Sequence, residues 1–246
     1  QMDRMERLHV LPVAQPSFLY WFGDNYETVL QADRIAAYFH TGGTTGMPKI
    51  AQHKYSGMIY NGFLGGSLLF GENDVLMCPL PMFHVFAAYP VLMSCLMSGA
   101  HLVMPTPAGY RGEGVFDNFW KLIERWQATF LITVPTAIAF LMQRPVNADL
   151  SSLKLAFSGS APLLIETFNA WRERTGHAIL ERYGMTETNM NTSNPYDGDR
   201  VPGAVGFALP GVTVRVTDPE TGTELPRETI GMIEVKGPGD RLQDNQ

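Results

Sequence analysis

Residues 41–49 read Thr-Gly-Gly-Thr-Thr-Gly-Met-Pro-Lys, a run whose residue types suit a polyphosphate. Its glycines allow positive φ and a close approach of backbone N–H groups to a ligand. Thr41, Thr44 and Thr45 add hydroxyl donors, and Lys49 adds a compact positive charge. The spacing is not that of a Walker A loop, because Pro48 precedes the lysine and Ile50 follows it. A second stretch, Tyr183-Gly184-Met185-Thr186-Glu187, gathers an aromatic, a hydroxyl and a carboxylate within five residues. Those groups could stack on a base, donate to a phosphate and hold Mg²⁺ beside it. A third, Ser158-Gly159-Ser160-Ala161-Pro162, is another glycine-marked turn. Taken singly, each stretch competes with an ordinary surface turn or a core tyrosine.

The segments between these turns alternate between strand and helix patterns, which predicts helices packed on a largely parallel sheet. Ile35–Phe39 reads as a buried strand before the first turn, and residues 54–70 as a helix after it, despite their glycines. Strands are predicted over 74–80, 100–104, 129–134, 154–157 and 178–181. Phe83–Ser98 reads as a buried helix that Pro90 kinks. Phe116, Phe119, Trp120 and Ile123 recur at helical spacing and predict an amphipathic helix over 113–126. Pro135 suits the first turn of the next helix, and another runs from 158–162 to about Arg174. Ligands gather outside the carboxyl ends of parallel strands, which is where this pattern puts all three turns. From about residue 200 the chain becomes β-rich, with strands at 212–216 and 230–235 and a hairpin near Asp218–Gly222.

Composition narrows the classes. The 246 residues are 45% hydrophobic and 17% charged, with a net charge of −6, as suits a soluble globular protein. No Lys/Arg block occurs, which argues against a nucleic-acid partner. No uninterrupted apolar run is long enough to span a bilayer. Cys78 and Cys95 lack metal-type spacing and read as buried, reduced thiols of a cytoplasmic protein. Both ends of the chain read as cuts: residues 1–34 as a truncated upstream segment, 35–198 as the α/β nucleotide- and acyl-binding part, and 199–246 as a truncated β-rich part.

Five stretches together resemble the acyl-adenylate-forming superfamily, in its acyl-CoA synthetase branch. The family's Thr-Ser-Gly-Thr-Thr-Gly-x-Pro-Lys is matched by 41–49 with Gly42 in place of serine, and its Tyr-Gly-x-Thr-Glu by 183–187. Gly-x-Ala-Pro-Leu appears at Gly159–Leu163, a Phe-His pair at Phe83-His84, and Gly-x-Val-Gly-x-x-x-Pro-Gly at Gly203–Gly211. The resemblance implies an α/β fold, part of the family's large domain. It also implies a ligase in which a carboxylate attacks the α-phosphorus of ATP, pyrophosphate leaves, and coenzyme A takes the acyl group. Carried over residue by residue, Thr41, Gly42, Gly43, Thr44, Thr45, Gly46 and Lys49 would hold the ATP phosphates. Gly159, Ser160, Ala161 and Pro162, with Glu181, Arg182, Tyr183, Gly184 and Met185, would form the rest of the nucleotide site. Thr186 would contact the α-phosphate and Glu187 would hold Mg²⁺. Phe83, His84, Val85 and Gly184 would line the acid pocket. A histidine at 84, where amino-acid-activating members have aspartate, implies a fatty-acyl or aryl acid. Two alternatives stay open: a hydroxycinnamate-type CoA ligase, and a non-catalytic nucleotide or acyl-adenylate binding module. The family's ribose-binding Thr-Gly-Asp and its lysine-bearing C-terminal domain do not occur in these residues, so the chain alone is expected to be inactive.

Overall fold

The computed structural model describes residues 33–41 and 49–238. The described residues open with β1 (Ile35–Thr41), β2 (Lys49–Lys54), α1 (Tyr55–Gly66) and β3 (Val75–Met77). A π-helical stretch (Ala87–Met93) then runs into α2 (Ser94–Ser98), followed by β4 (His101–Val103), a 3-10 turn, α3 (Val115–Trp126), β5 (Phe130–Thr133) and α4 (Pro135–Leu141). The remainder is β6 (Leu155–Ser158), α5 (Ile165–Thr175), β7 (Ile179–Met185), β8 (Asn189–Ser193), β9 (Phe207–Ala208), β10 (Thr213–Thr217) and β11 (Met232–Lys236).

Seven strands form the central sheet in the order β4-β3-β5-β6-β7-β8-β9. The first five are parallel, and β8 and β9 add antiparallel to β7 and to each other. Every residue of β5 and β6 is buried, as the middle strands of a sheet covered on both faces must be. Aromatic rings fill the core: Phe130 stacks on Phe157, Phe70 meets both edge-on, and Trp120 leans on Trp171. The amphipathic helix predicted from helical spacing is present as α3: Phe119, Trp120 and Ile123 are buried as expected, Phe116 is half-buried against the core, and Val115 is buried beside them. The glycines of α1 are explained by packing rather than propensity. A Cβ on Gly65 would lie 2.0 Å from Ser94 Oγ, and one on Gly62 would lie 2.6 Å from Met97 Sδ. No helix of the described residues is long and apolar enough to cross a membrane. Cys78 and Cys95 are free and buried, and burial pushes both thiols up to about 12, leaving them inert.

Three expectations are corrected. The run 41–49 does not join a strand to a helix at the end of a parallel sheet. It closes an antiparallel hairpin outside the main sheet, with Thr41 paired to Lys49, and the whole of β2 precedes α1. Phe83 and His84 do not begin a long helix but lie in the turn before it. Pro90 lies inside the wide π turn, where its lack of an N–H breaks the regular bonding. The strand predicted over 178–181 runs on to Met185 and pairs with a further strand, β8, that the polar sequence Asn-Met-Asn-Thr-Ser concealed. The β-rich texture toward the end is present as β9, the antiparallel pair β10–β11, and a turn in which Gly222 N–H donates to Asp218.

At the far end of the sheet from the turns, Asp74 ties three strands together. Its carboxylate accepts from Lys154 Nζ at 2.6 Å, Thr129 Oγ1 at 3.0 Å and Gly71 N–H at 2.9 Å, while Val75 N–H donates to Thr129 Oγ1. Burial pushes the Asp74 carboxyl up, but the Lys154, Gly71 and Thr129 bonds outweigh it and hold it below the usual value. The stabilisation is therefore present above the unfolded-state pKa of about 4 and is lost as pH falls through the lowered folded value. Asp74→Asn is expected to cost about 2 kcal/mol at pH 7, and the deficit should shrink at pH 3 in urea titrations.

Candidate active site

The site is assembled by the junction of β6, β7 and β8. Ser158 ends β6 directly opposite Glu181 of β7, so Gly159 and Ser160 leave one strand beside the outgoing end of the other. Ser160 takes a left-handed φ of 70°, unusual for a residue with a side chain. Past Arg182, β7 exchanges its parallel partner for β8, and the register shifts between Tyr183 and Gly184. The hairpin closes with Met185 opposite Asn189, which leaves Thr186, Glu187 and Thr188 in the turn. Asn189 also has a positive φ, 62°, which asparagine tolerates better than most residues. A Cβ on Gly184 would lie 2.2 Å from the Asn189 carbonyl oxygen, so the hairpin needs glycine there.

His84 arrives from the other side, in the turn before the π stretch. Its Nδ1 accepts from Phe86 N–H at 3.2 Å, satisfying one of the open donors of the helix start. Partial burial lowers its pKa, so at neutral pH the ring is uncharged and Nε2 carries the proton. These parts enclose a cleft of about 290 Å³. From the sheet junction it is lined by Gly159, Ser160, Arg182, Gly184, Met185, Thr186, Glu187, Asn189 and Met190. Thr41, at the base of the hairpin loop, and His84, Val85, Phe86 and Pro90 complete it.

Arg182 dominates the electrostatics. Its guanidinium lies 4.0 Å from the centre of the Phe157 ring, Nε has no hydrogen-bond partner, and no ion pair reaches it among the described residues. Burial lowers its pKa to about 9, which leaves it cationic at neutral pH. Opposite in sign, Glu187 lies in the turn, where its charge raises the Tyr183 pKa after burial has done so. No group of three or more His, Cys, Asp or Glu side chains able to hold a metal by themselves occurs among the described residues. One carboxylate beside a hydroxyl instead fits a Mg²⁺ that keeps waters and takes phosphate oxygens as its other ligands.

Of the residues expected at the site, Thr41, His84, Val85, Gly159, Ser160, Arg182, Gly184, Met185, Thr186 and Glu187 meet in this cleft. Gly42, Gly43, Thr44, Thr45 and Gly46 lie outside the described residues. Lys49, Phe83, Ala161, Pro162, Glu181 and Tyr183 do not line it. Phe83 is 74% exposed, and Ala161, Pro162 and Lys49 also face outward. Glu181 is buried and accepts the Gly203 N–H at 2.8 Å, a structural use. Tyr183 is half-buried on β7 between two lining residues. Sequence reasoning placed Phe86 in the apolar wall of the pocket, where the structure has it, but did not find Pro90, Asn189 and Met190, since a proline, a methionine and a lone asparagine carry no pattern that separates lining from core.

An α/β sheet with a glycine-marked cleft at the carboxyl ends of its strands defines a nucleotide-binding class of protein. Residues 4–240 match the family model for AMP-binding enzyme, and the chain belongs to that family. A mitochondrial malonate–CoA ligase of Mus musculus is 36% identical over 208 residues, covering 78% of this chain and 35% of its own length. A marinolic acid–CoA ligase of a Pseudoalteromonas strain is 34% identical over 217 residues, covering 82% of this chain and 33% of its own. Among solved structures, ATP-bound MatB from Rhodopseudomonas palustris has 47% identity and a TM-score of 0.77 over 85% of this chain and 41% of that one. The chain thus spans about a third of the length of the curated relatives it matches.

Gly184→Ala tests the junction. Because the added carbon would meet backbone, the hairpin must shift, at an expected cost of about 1–3 kcal/mol. An unchanged urea midpoint would show that the turn is looser than its geometry requires.

Proposed function

We propose that this chain is the nucleotide- and acid-binding part of an ATP-dependent acid–CoA ligase that works through an acyl-adenylate, and that its acid is a small dicarboxylate of the malonate class. Family membership and the CoA-ligase relatives support the first statement. The observation that carries the second is Arg182, a desolvated cation on the cleft wall without an anionic partner among the described residues. Arg182 is half-buried with its Nε fully enclosed, and an uncompensated charge is costly in proportion to its burial. A second carboxylate on the substrate would offset that cost, through the charge-assisted bonds that guanidinium makes well. A long alkyl chain or a neutral aryl ring would leave the cost standing. The malonate ligases among the relatives agree with this reading, whereas the 4-coumarate ligases among them favour the hydroxycinnamate alternative.

In this reading, Gly159 and Ser160 flank the adenine with Tyr183 at its edge, and Thr186 donates to the α-phosphate. Thr41 and the 42–49 loop hold the outer phosphates. Glu187 would hold Mg²⁺, which when bound neutralises charge on the departing pyrophosphate. Neutral His84 would present its Nε2–H to the reacting carboxylate without the penalty of a second buried charge. The protein supplies position and electrostatics rather than covalent help. Coenzyme A is the acceptor in the second step. A cytoplasmic setting is part of this proposal.

The test is pyrophosphate release by the full-length protein, with and without coenzyme A, on malonate, methylmalonate, acetate, octanoate, benzoate and 4-coumarate. Malonate or methylmalonate should be preferred. Arg182→Met should lower kcat/KM for malonate by about 10²-fold, as loss of one charged partner does, and leave acetate within a few-fold. Preference for octanoate or 4-coumarate would contradict the dicarboxylate assignment while leaving the ligase assignment intact.

A further inference from the structure

His53 lies on β2, four residues past Lys49. It is only 1% exposed. Its ring meets Phe39 of β1 edge-on at 5.4 Å and Tyr89 of the π stretch at 5.4 Å, and those two rings meet each other at 5.3 Å. Its Nδ1 accepts a hydrogen bond from Asn189 Nδ2 at 3.2 Å. Burial lowers its pKa, against the opposing influence of the Thr186 backbone and the Glu187 charge, so the ring is neutral at pH 7. With Nδ1 accepting, Nε2 carries the proton, and it has no hydrogen bond of normal geometry.

Three segments that each bring one part of the cleft therefore meet on one imidazole. Phe39 belongs to the strand that leads into the phosphate loop, Tyr89 to the helix that His84 opens, and Asn189 to the strand that closes the Thr186–Glu187 turn. Packing alone would need only an aromatic ring at this place. The polar bond goes to a residue held at positive φ, two positions beyond Glu187, where losing a buried bond weakens the hold on the turn.

We propose that His53 is a positioning residue for adenylation, holding the phosphate-loop hairpin in register with the turn that carries Thr186 and Glu187. The proposal rests on the acyl-adenylate reading above. It assigns His53 no contact with substrate. Its effect should appear in the nucleotide half of the reaction, because Thr41, Lys49, Thr186 and Glu187 all belong to that half.

The experiment compares His53→Phe, which keeps a ring but removes the acceptor, with His53→Asn, which restores an amide oxygen near the Nδ1 position and drops the ring. Both are made in the full-length protein, with Asn189→Ala and the double variant His53→Phe/Asn189→Ala. Acid-dependent ATP–pyrophosphate exchange is measured with ATP and acid varied separately. His53→Phe should lower kcat/KM for Mg·ATP about tenfold, the order of one buried hydrogen bond, with KM for the acid within about twofold of the parent. His53→Asn should recover part of that loss, and the double variant should lose less than the product of the two single losses, because the two changes share one bond. Undiminished exchange in His53→Phe, an equal loss toward ATP and acid that tracks the melting temperature, or multiplicative losses in the double variant would each overturn the proposal. If His53→Phe does not fold, His53→Asn and Asn189→Ala form the same comparison. An ATP-side loss in Asn189→Ala larger than in His53→Asn supports the bond, and equal loss on both substrate axes overturns it. A parent without exchange on any acid would instead refute the acyl-adenylate reading beneath it.

Discussion

The site depends on one strand serving two partners. β7 runs parallel to β6 as far as Glu181 and antiparallel to β8 from Arg182 onward. That change of partner carries the backbone past the edge of the parallel sheet, so its turn stands beside the loop leaving β6. It is secured by buried polar bonds. The Glu181 carboxylate accepts from Gly203 N–H, and Asn194 Nδ2 donates to the backbone carbonyls of Glu181 and Ala204. Buried polar groups of this kind cost stability unless satisfied. Here they are satisfied by the segment after β8, so the outer strands and the turn stand or fall together.

Polar burial also organises the cleft's charge. Arg182 extends from the same junction and places its guanidinium over Phe157, a ring that is itself stacked on Phe130 in the core. An aromatic face offsets part of the desolvation of a guanidinium, yet it supplies no negative charge. The cleft wall is thus prepared for an anion before any ligand arrives. His84 is kept neutral by its packing and by the helix start that it caps. A neutral imidazole, a lone cation and one carboxylate at Glu187 make three electrostatically distinct positions around a single cleft. Such preorganisation is how a site favours charge that develops during reaction without rearranging as it does so.

Much of this was legible in the sequence where periodicity or spacing carried it. The apolar stripe of α3 and the β-branched run of β5 follow directly from hydrophobic pattern. The Tyr183–Glu187 and Gly159–Pro162 stretches are dense in rare chemistry, and the structure brings Gly159, Ser160, Thr186 and Glu187 to one cleft. Other elements are written in no local pattern. β2 reads Lys-Ile-Ala-Gln-His-Lys, too short and mixed to separate from loop, and it exists because β1 pairs with it. β8 reads Asn-Met-Asn-Thr-Ser, and yet its first four residues are buried. His53 and Val205 meet part of its side-chain polarity and Leu209 N–H donates to the Asn191 backbone carbonyl, while the buried Asn191 side-chain amide has no hydrogen-bond partner among the described residues. The π turn follows from Pro90, but a proline predicts a kink, not which wide turn will absorb it.

The central claim is that the loop after β6 and the turn after β7 bind one adenylate between them. A crystal structure of the chain with a non-hydrolysable malonyl-adenylate analogue tests it most directly. The account predicts the adenine between Gly159–Ser160 and Tyr183, the phosphate mimic within hydrogen-bond distance of Thr186, and the free carboxylate on Arg182. An analogue bound instead in the second pocket that Arg182 also lines, between Leu64, Tyr196 and Phe207, or with its carboxylate turned away from Arg182, would contradict it.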